Sequence, residues 1–389
     1  MIREFEKTDQ FLIDPVRSKG PSRTAEVAPI PLNMPLVEGD LGSFGDYRIL
    51  RLIGRGSAGA VFHAIDPTLD RDAAIKILAP KVAGKRIRER FLREARACAK
   101  VRNDFVVSIH KTGECNGLPF IEMEFLRGMP LDLYLRKHKH LRYAQLLRLG
   151  REISTGLAAV HEIGIVHRDV KPGNIWLEAP NGKAKLLDFG LATSEETTNE
   201  ALTLFGTVVG TPAYMSPEQA RGQRVDPRSD LFSLGVVLYH TACGELPFPG
   251  KTPIDVISSI VSREPIPLHE RNATIPERFA KLVHRLLAKD PAKRPSSAKA
   301  LFEELKALTP IVTVPIPLSD SGGEPGTTID PSESSTSDNW ATATAPSNGF
   351  ATAPQIVAPI RSARNLAVWV TIVMLWVVAA IMLIDRFRR

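Results

Sequence analysis

The chain has 389 residues, enough for two or three domains, with a formal net charge of +7 and three cysteines. Cys98, Cys115 and Cys243 are scattered without metal-ligand spacing, which argues against a disulfide framework and for a reducing compartment. The positive surplus reads as surface lysine and arginine, with no nucleic-acid partner expected, and the charged opening Met1–Gln10 gives no expectation of a cleavable secretory signal.

Residues 1–45 carry Pro15, Pro21, Pro29, Pro31 and Pro35 without apolar periodicity and are expected to form a disordered leader. The pattern changes at Tyr47, where Tyr47–Ile53 reads as a strand. Gly54-Arg55-Gly56-Ser57-Ala58-Gly59-Ala60-Val61 follows as a glycine-rich turn. Glycine lets backbone amides approach phosphate oxygens with no Cβ in the way. The next residues, Val61–Ile65, look like a strand, whereas a dinucleotide fold would place a helix there. Ala73–Leu78 then puts Lys76 in an apolar strand. Two readings stay open at this point: an edge-strand lysine in water, or a buried cation that requires a partner. Glu94 shares a helical face with Phe91, Ala95 and Cys98, while Glu89 falls elsewhere on that helix. The basic residues around it, among them Arg88, Arg93 and Arg96, read as a solvated face.

Pro119–Leu126 reads as a further strand, and Leu146–Ile163 has helical apolar spacing. That helix leads into His167-Arg168-Asp169-Val170-Lys171-Pro172-Gly173-Asn174. These eight residues combine three groups suited to phosphate chemistry. Asp169 can accept a proton from an attacking hydroxyl, Lys171 can neutralise a travelling phosphoryl group, and Asn174 can hold a metal through its amide oxygen. Asp188-Phe189-Gly190 offers a second metal ligand.

In this order, H-R-D-x-K-x-x-N followed by D-F-G resembles the catalytic and metal loops of protein kinases, and specifically the bacterial, eukaryotic-like (Hanks-type) serine/threonine kinases. The resemblance implies an α+β, bilobal fold over residues 46–308, with a β-rich first lobe carrying one key helix and a mainly helical second lobe. It implies ATP and Mg²⁺ as cofactors, with Mn²⁺ as an alternative, and protein substrates. ATP would be lined by Ile53, Gly54, Arg55, Gly56, Ser57, Ala58, Gly59, Val61, Ala74, Lys76, Met123, Glu124 and Leu126. Within that set Met123 would be the gatekeeper, and Glu124 and Leu126 backbone groups would read the adenine edge. Lys76, paired with Glu94, would position the α- and β-phosphates. Asp169, Lys171, Lys76 and Glu94 would form the catalytic set, and Asn174 and Asp188 would hold the metal. Glu122 stands where the family usually carries an apolar residue, and its side chain is expected to face solvent.

Gly210-Thr211-Pro212-Ala213-Tyr214-Met215-Ser216-Pro217-Glu218 resembles the family's segment closing the activation loop, with Ser216 in place of alanine. Thr211 together with Lys171 implies serine or threonine as acceptor. Arg168 directly before Asp169 implies control by loop phosphorylation, with Thr203 and Thr207 as candidate sites. The resemblance further implies that Asp230 steadies the catalytic loop and that Arg294 pairs with Glu218. A catalytically inactive pseudokinase scaffold is the rival reading; it would be signalled by loss of the lysine, the base or the metal ligands, and all are present.

Residues 309–365 turn to Ser, Thr, Pro, Ala and Gly and are expected to be a flexible linker. Residues 366–384 contain no charge; as a helix they would reach about 28 Å, near a bilayer's hydrocarbon thickness. A transmembrane helix is expected there, with 385–389 as a short basic tail. Arg361 and Arg364 on one side against Arg386, Arg388 and Arg389 on the other bias the charge toward the tail end. Because ATP is cytosolic, the expected location is nonetheless the inner membrane, single-pass, with the folded domain cytoplasmic. A homodimer is left open.

Overall fold

The computed structural model describes residues 30–35, 37–56, 59–79, 85–188, 212–308 and 316. The first lobe is a six-stranded antiparallel sheet: β1 (Gly42–Phe44), β2 (Tyr47–Gly56), β3 (Gly59–Asp66), β4 (Arg71–Leu78), β5 (Ile109–Cys115) and β6 (Leu118–Glu124). Its spatial order is β1-β2-β3-β4-β6-β5. Hairpins explain most of this order, among them the two-residue Asn116-Gly117 turn between β5 and β6. Both residues have positive φ, 51° and 73°, as the two-residue turn that matches strand twist requires.

Strand alternation gives the sheet two buried faces. In β4, Ala73, Ile75 and Ile77 pack with Phe44, Ile49, Phe62 and Phe120 on one side. Ala74 and Leu78 face the other way, against Phe91, Ala95 and Cys98 of helix α1 (Lys85–Cys98). Lys76 has the parity of Ala74 and Leu78, so the period of two assigns it to the face that α1 covers.

The second lobe opens with β7 (Gly128–Pro130), α2 (Leu131–Lys137) and α3 (Tyr143–Glu162). A 3₁₀ turn, Pro172–Asn174, leads into β8 (Ile175–Glu178) and β9 (Lys183–Leu186). β7, β8 and β9 form a small antiparallel sheet. After a second 3₁₀ turn, Pro212–Tyr214, come α4 (Pro217–Ala220), α5 (Pro227–Cys243), α6 (Pro253–Ser262), α7 (Leu268–Arg271), α8 (Glu277–Leu286) and α9 (Ala298–Ala307). Helix α5 is buried continuously from Ser229 to Tyr239, as a helix apolar on all sides must be. α3 packs on it through Leu146, Leu149, Ile153 and Leu157 at helical spacing. Buried leucines of this kind contribute roughly 1.5–3 kcal/mol each. Phe105–Val107 joins β9: Leu186 donates its N–H to the Phe105 carbonyl at 2.8 Å, and Val107 donates to Leu186 at 2.9 Å.

The described residues reach past the expected domain boundaries on both sides. Within the leader expected over 1–45, β1 pairs with β2, and Asn33 and Ser43 exchange backbone hydrogen bonds at 2.8 and 3.1 Å. Ile30 and Leu32 pack on the same apolar cluster, so burial holds this proline-bearing segment although no repeat announces it. Within the linker expected over 309–365, Ile316 is 0% exposed and belongs to the second lobe's core. Among the described residues no helix is long and apolar enough to cross a membrane. Residues 366–384 and 385–389, like Thr203 and Thr207, lie outside the described residues.

Candidate active site

Asp230, in the first turn of α5, organises the loop that follows α3. Its carboxylate is 0% exposed and accepts the backbone N–H groups of His167 and Arg168, each at 2.8 Å. His161 Nε2 lies 2.8 Å from the same group. These bonds stabilise an uncommon backbone: Arg168 sits at φ 65°, a left-handed conformation that costs an arginine free energy. The side-chain amide of Gln219, in α4, donates to the Arg168 carbonyl at 2.8 Å, so the residue is held from both ends. Gln219 is itself fixed by Ser216, whose N–H it accepts at 3.0 Å in a capping box. The serine in place of alanine thus takes part in the capping; sequence reading missed Gln219, although S-x-x-Q is a recognisable helix-start signal.

His167 joins this loop to the end of β9. Its Nε2 lies 2.8 Å from the Leu187 carbonyl oxygen, which assigns the ring proton to Nε2. Nδ1 is then left to accept from the Asp169 N–H, at 3.3 Å. Leu187 also donates its N–H to the Asn174 carbonyl at 2.9 Å. Asp188, the next residue, is thereby held beside Asp169 and Asn174.

Three of the expected catalytic and metal residues contact one another directly. The Asn174 amide nitrogen donates to the Asp169 backbone carbonyl and to its Oδ2, both at 2.8 Å. Lys171 Nζ lies 2.9 Å from the same Oδ2. Across the cleft, Lys76 Nζ lies 2.6 Å from Asp188 Oδ1. Burial pushes the Asp188 carboxyl upward, but Lys76, with Lys171 further off, holds it below the usual carboxylate range. Asp188 keeps 40% side-chain exposure, so the cleft admits solvent. Its φ is 40°, a second strained backbone at the same place.

The ion pair of Lys76 is therefore with Asp188, where Glu94 was expected. Glu94 lies half-buried on α1, and no Lys76–Glu94 pair occurs among the ion pairs of the described residues. The physical reason is competition: the Asp188 carboxylate, already anchored through Leu187, reaches the ammonium at hydrogen-bonding distance.

A divalent cation fits the donors present. The Asn174 nitrogen is committed to Asp169, which leaves its Oδ1 as acceptor, and Asp188 supplies a low-pKa carboxylate. Among the described residues no group of three or more His, Cys, Asp or Glu could enclose a metal alone. One carboxylate and one amide suit a hard cation that completes its shell with phosphate oxygens and water.

Five of the residues expected to line the nucleotide fall into one apolar cluster. Ala74, Met123 and Leu126 are buried in it, with Ile53 and Val61 packed against them. Arg55 is exposed, Gly54 pairs with Val61, and Gly56 and Gly59 pair across the turn; Ser57 and Ala58 lie outside the described residues. A Cβ on Gly59 would collide with the Ile77 carbonyl oxygen, so the last glycine is set by β3–β4 pairing as well as by phosphate access. Glu124 donates its N–H to Ser108 at 3.0 Å, and its carboxylate pairs with Lys185 at 2.8 Å.

Glu122 does not face solvent. It is 2% exposed and accepts from Tyr47 Oη at 2.8 Å and Arg71 Nη2 at 2.6 Å. The carboxylate is buried because two donors reach it, Arg71 from the adjacent strand β4 and Tyr47 from β2. Glu218 and Arg294 form the expected pair, bidentate at 2.7 and 2.9 Å, with Ser229 Oγ donating to Glu218 at 2.6 Å. Burial raises the Glu218 pKa, but Arg294 and Ser229 outweigh it and hold the carboxyl below the ordinary range.

Comparison with known proteins agrees with this geometry. The model of the protein kinase domain matches residues 47–305. Serine/threonine-protein kinase pkn3 of Myxococcus xanthus is 37% identical over 271 residues, covering 67% of this chain and 50% of that protein. Serine/threonine-protein kinase pkn2 of the same organism is 39% identical over 330 residues, covering 80% and 40%. The chain thus spans half or less of the length of these curated relatives. The crystal structure of the Mycobacterium tuberculosis PknI kinase domain matches with a TM-score of 0.56 at 25% identity, over 71% of this chain and 100% of that one.

Proposed function

Because the chain belongs to the protein kinase family, we propose that it transfers the terminal phosphoryl group of ATP to serine or threonine hydroxyls of proteins. The observation that carries this reading is the convergence of Asp169, Lys171, Asn174, Asp188 and Lys76 on one cleft. Asp169, held by Asn174, orients the acceptor hydroxyl and takes its proton. Lys171 offsets the charge of the moving phosphoryl group, and Lys76 grips the phosphates from the opposite lobe. Asp188 and Asn174 would hold a divalent cation, Mg²⁺ or Mn²⁺, which would supply further charge neutralisation. Serine or threonine specificity is supported by Lys171, by Thr211 and by the printed names of the relatives.

The same reading includes phosphorylation of the chain's own activation loop, at Thr203 or Thr207, with Arg168 as the phosphate's partner. It also includes anchoring by residues 366–384 in the inner membrane, the kinase domain on the cytoplasmic side with its ATP. What supports the anchor is the uncharged run and its length. Tethering copies in two dimensions would raise their effective concentration and favour phosphorylation in trans.

The test is incubation of the full chain with labelled ATP, Mg²⁺ and a generic protein, beside Asp169→Asn. Label should fall about 10²- to 10⁴-fold in the variant; equal label would remove the role given to Asp169. Mapping the labelled residues checks Thr203 and Thr207. Deleting residues 366–389 should move the chain from the membrane pellet to the soluble fraction, and retention in the pellet would refute the anchor.

A further inference from the structure

The β4–β6 ladder ends at the Ala73–Glu124 pair, and Phe125 is the first residue past its last rung. Its two neighbours are fixed by contacts of their own. Glu124 exchanges hydrogen bonds with Ser108, donating its N–H at 3.0 Å and accepting through Oε1 at 2.7 Å. Leu126 is buried in the apolar cluster. Phe125, half-buried between them, lies with its ring against the imidazole of His63. The ring centroids are 3.9 Å apart and the planes 12° from parallel.

His63 comes from β3, and the chemistry above gives it no task. It pairs with Ala74, which in turn pairs with Met123, so the three form one row across the sheet. By the period of two it shares the face of Val61, which packs on the cluster expected to line the nucleotide. His63 is only 9% exposed, and its Nε2 lies 2.6 Å from Asp72 Oδ1, so Nε2 carries a proton. Nδ1 is buried with no hydrogen-bond partner among the described residues. An orphaned ring nitrogen costs free energy that a leucine in this place would avoid. What a leucine lacks is the polar handle by which Asp72 fixes the plane of the ring that meets Phe125.

We propose that His63 is a positioning residue for the adenine end of the nucleotide site. Held by Asp72, its ring fixes Phe125 and, through it, the backbone of Glu124 and Leu126 on either side, the groups that would read the adenine edge. The proposal rests on the phosphotransferase reading above and adds to it a residue outside the expected nucleotide lining. Two flat rings in near-parallel contact restrict both the tilt and the approach of Phe125, which a flexible aliphatic side chain would not.

The experiment uses the full chain and measures the Kd of ATP with Mg²⁺ by titration, beside the KM for ATP, the KM for a generic protein acceptor and kcat. His63→Ala should raise the Kd and KM for ATP about three- to tenfold, the worth of an aromatic contact, and leave kcat and the acceptor KM nearly unmoved. His63→Phe, which keeps a ring, should recover most of the affinity, and Phe125→Leu should reproduce the loss. His63→Ala combined with Phe125→Leu should cost no more than the larger single loss, since both act through one contact. Unaltered ATP affinity in both single variants would overturn the proposal, as would additive losses in the double. So would a fall in kcat and melting temperature that matches the rise in KM, which would make His63 a plain part of the fold. If the wild-type chain binds ATP but labels no protein, the phosphotransferase reading fails while the Kd series still decides the role of His63. If it binds no ATP, both fail.

Discussion

Lys76 Nζ and Asp188 Oδ1 lie 2.6 Å apart, an ion pair that links β4 of the first lobe to the second residue after β9 in the second. The pair leaves 15% of the lysine and 40% of the aspartate side chain exposed, so solvent screens it and its contribution to folding is about 1 kcal/mol or less. Its consequence is positional: a phosphate or cation entering the cleft meets a cation and a carboxylate already aligned.

Lys76→Met should therefore leave the fold nearly intact while lowering phosphoryl transfer by about 10²- to 10³-fold, the usual cost of removing one donor aimed at developing charge. Asp188→Asn should fall at least as far, because it removes a metal ligand as well as the partner of Lys76. Turnover of labelled ATP read beside a thermal melt separates the two effects. Lost activity together with a collapsed melting temperature would contradict a positional role.

The Tyr47–Glu122–Arg71 network leads to the opposite expectation. Glu122→Ala leaves a buried phenol hydroxyl and a half-buried guanidinium without their acceptor and should cost about 3 kcal/mol or more. Glu122→Gln keeps the shape and one acceptor and should cost less. Urea denaturation gives both values. A loss below about 1 kcal/mol in the alanine variant would mean that water replaces the carboxylate freely.

What could be read in the sequence, and what could not, divides along the range of the interactions. The residues around Asp169 are set by chemistry acting within a few positions, so their letters suffice. The alternation in Ala73–Leu78 likewise placed Lys76 in a strand whose two faces differ. Glu122 was misread because its partners lie 51 and 75 positions away, and a carboxylate taken alone belongs in water. The choice between Glu94 and Asp188 as the partner of Lys76 depends on how the lobes close, which no periodicity encodes. Ile30, Leu32 and Ile316 are single apolar residues in polar or proline-bearing stretches; only a waiting apolar surface makes them core.

Glu218 and Arg294 test a buried pair in its purest form here. With the arginine side chain 0% exposed, removing either partner strands the other's charge. Glu218→Gln and Arg294→Met should each cost about 3–5 kcal/mol, whereas the double variant should cost much less than their sum. A double-mutant cycle by chemical denaturation measures the coupling. Additive losses would show that the two side chains act separately.

Acid should weaken the domain through His240. Burial lowers its pKa from 6.5 to about 4 in the folded chain. Between those values the unfolded chain binds the proton and the folded chain does not, so unfolding takes up protons and stability falls as pH drops. Above 6.5 neither state is protonated and the contribution is flat; below about 4 both are, and the loss is complete at about 3 kcal/mol. His240→Gln keeps an acceptor for the Tyr214 hydroxyl without a group that titrates in this window. Between pH 7.5 and pH 4.5 the wild-type chain should therefore lose denaturation midpoint relative to the variant as the solution is acidified. Parallel curves would mean that His240 already carries its proton in the folded chain, or that other groups account for the whole of the acid response.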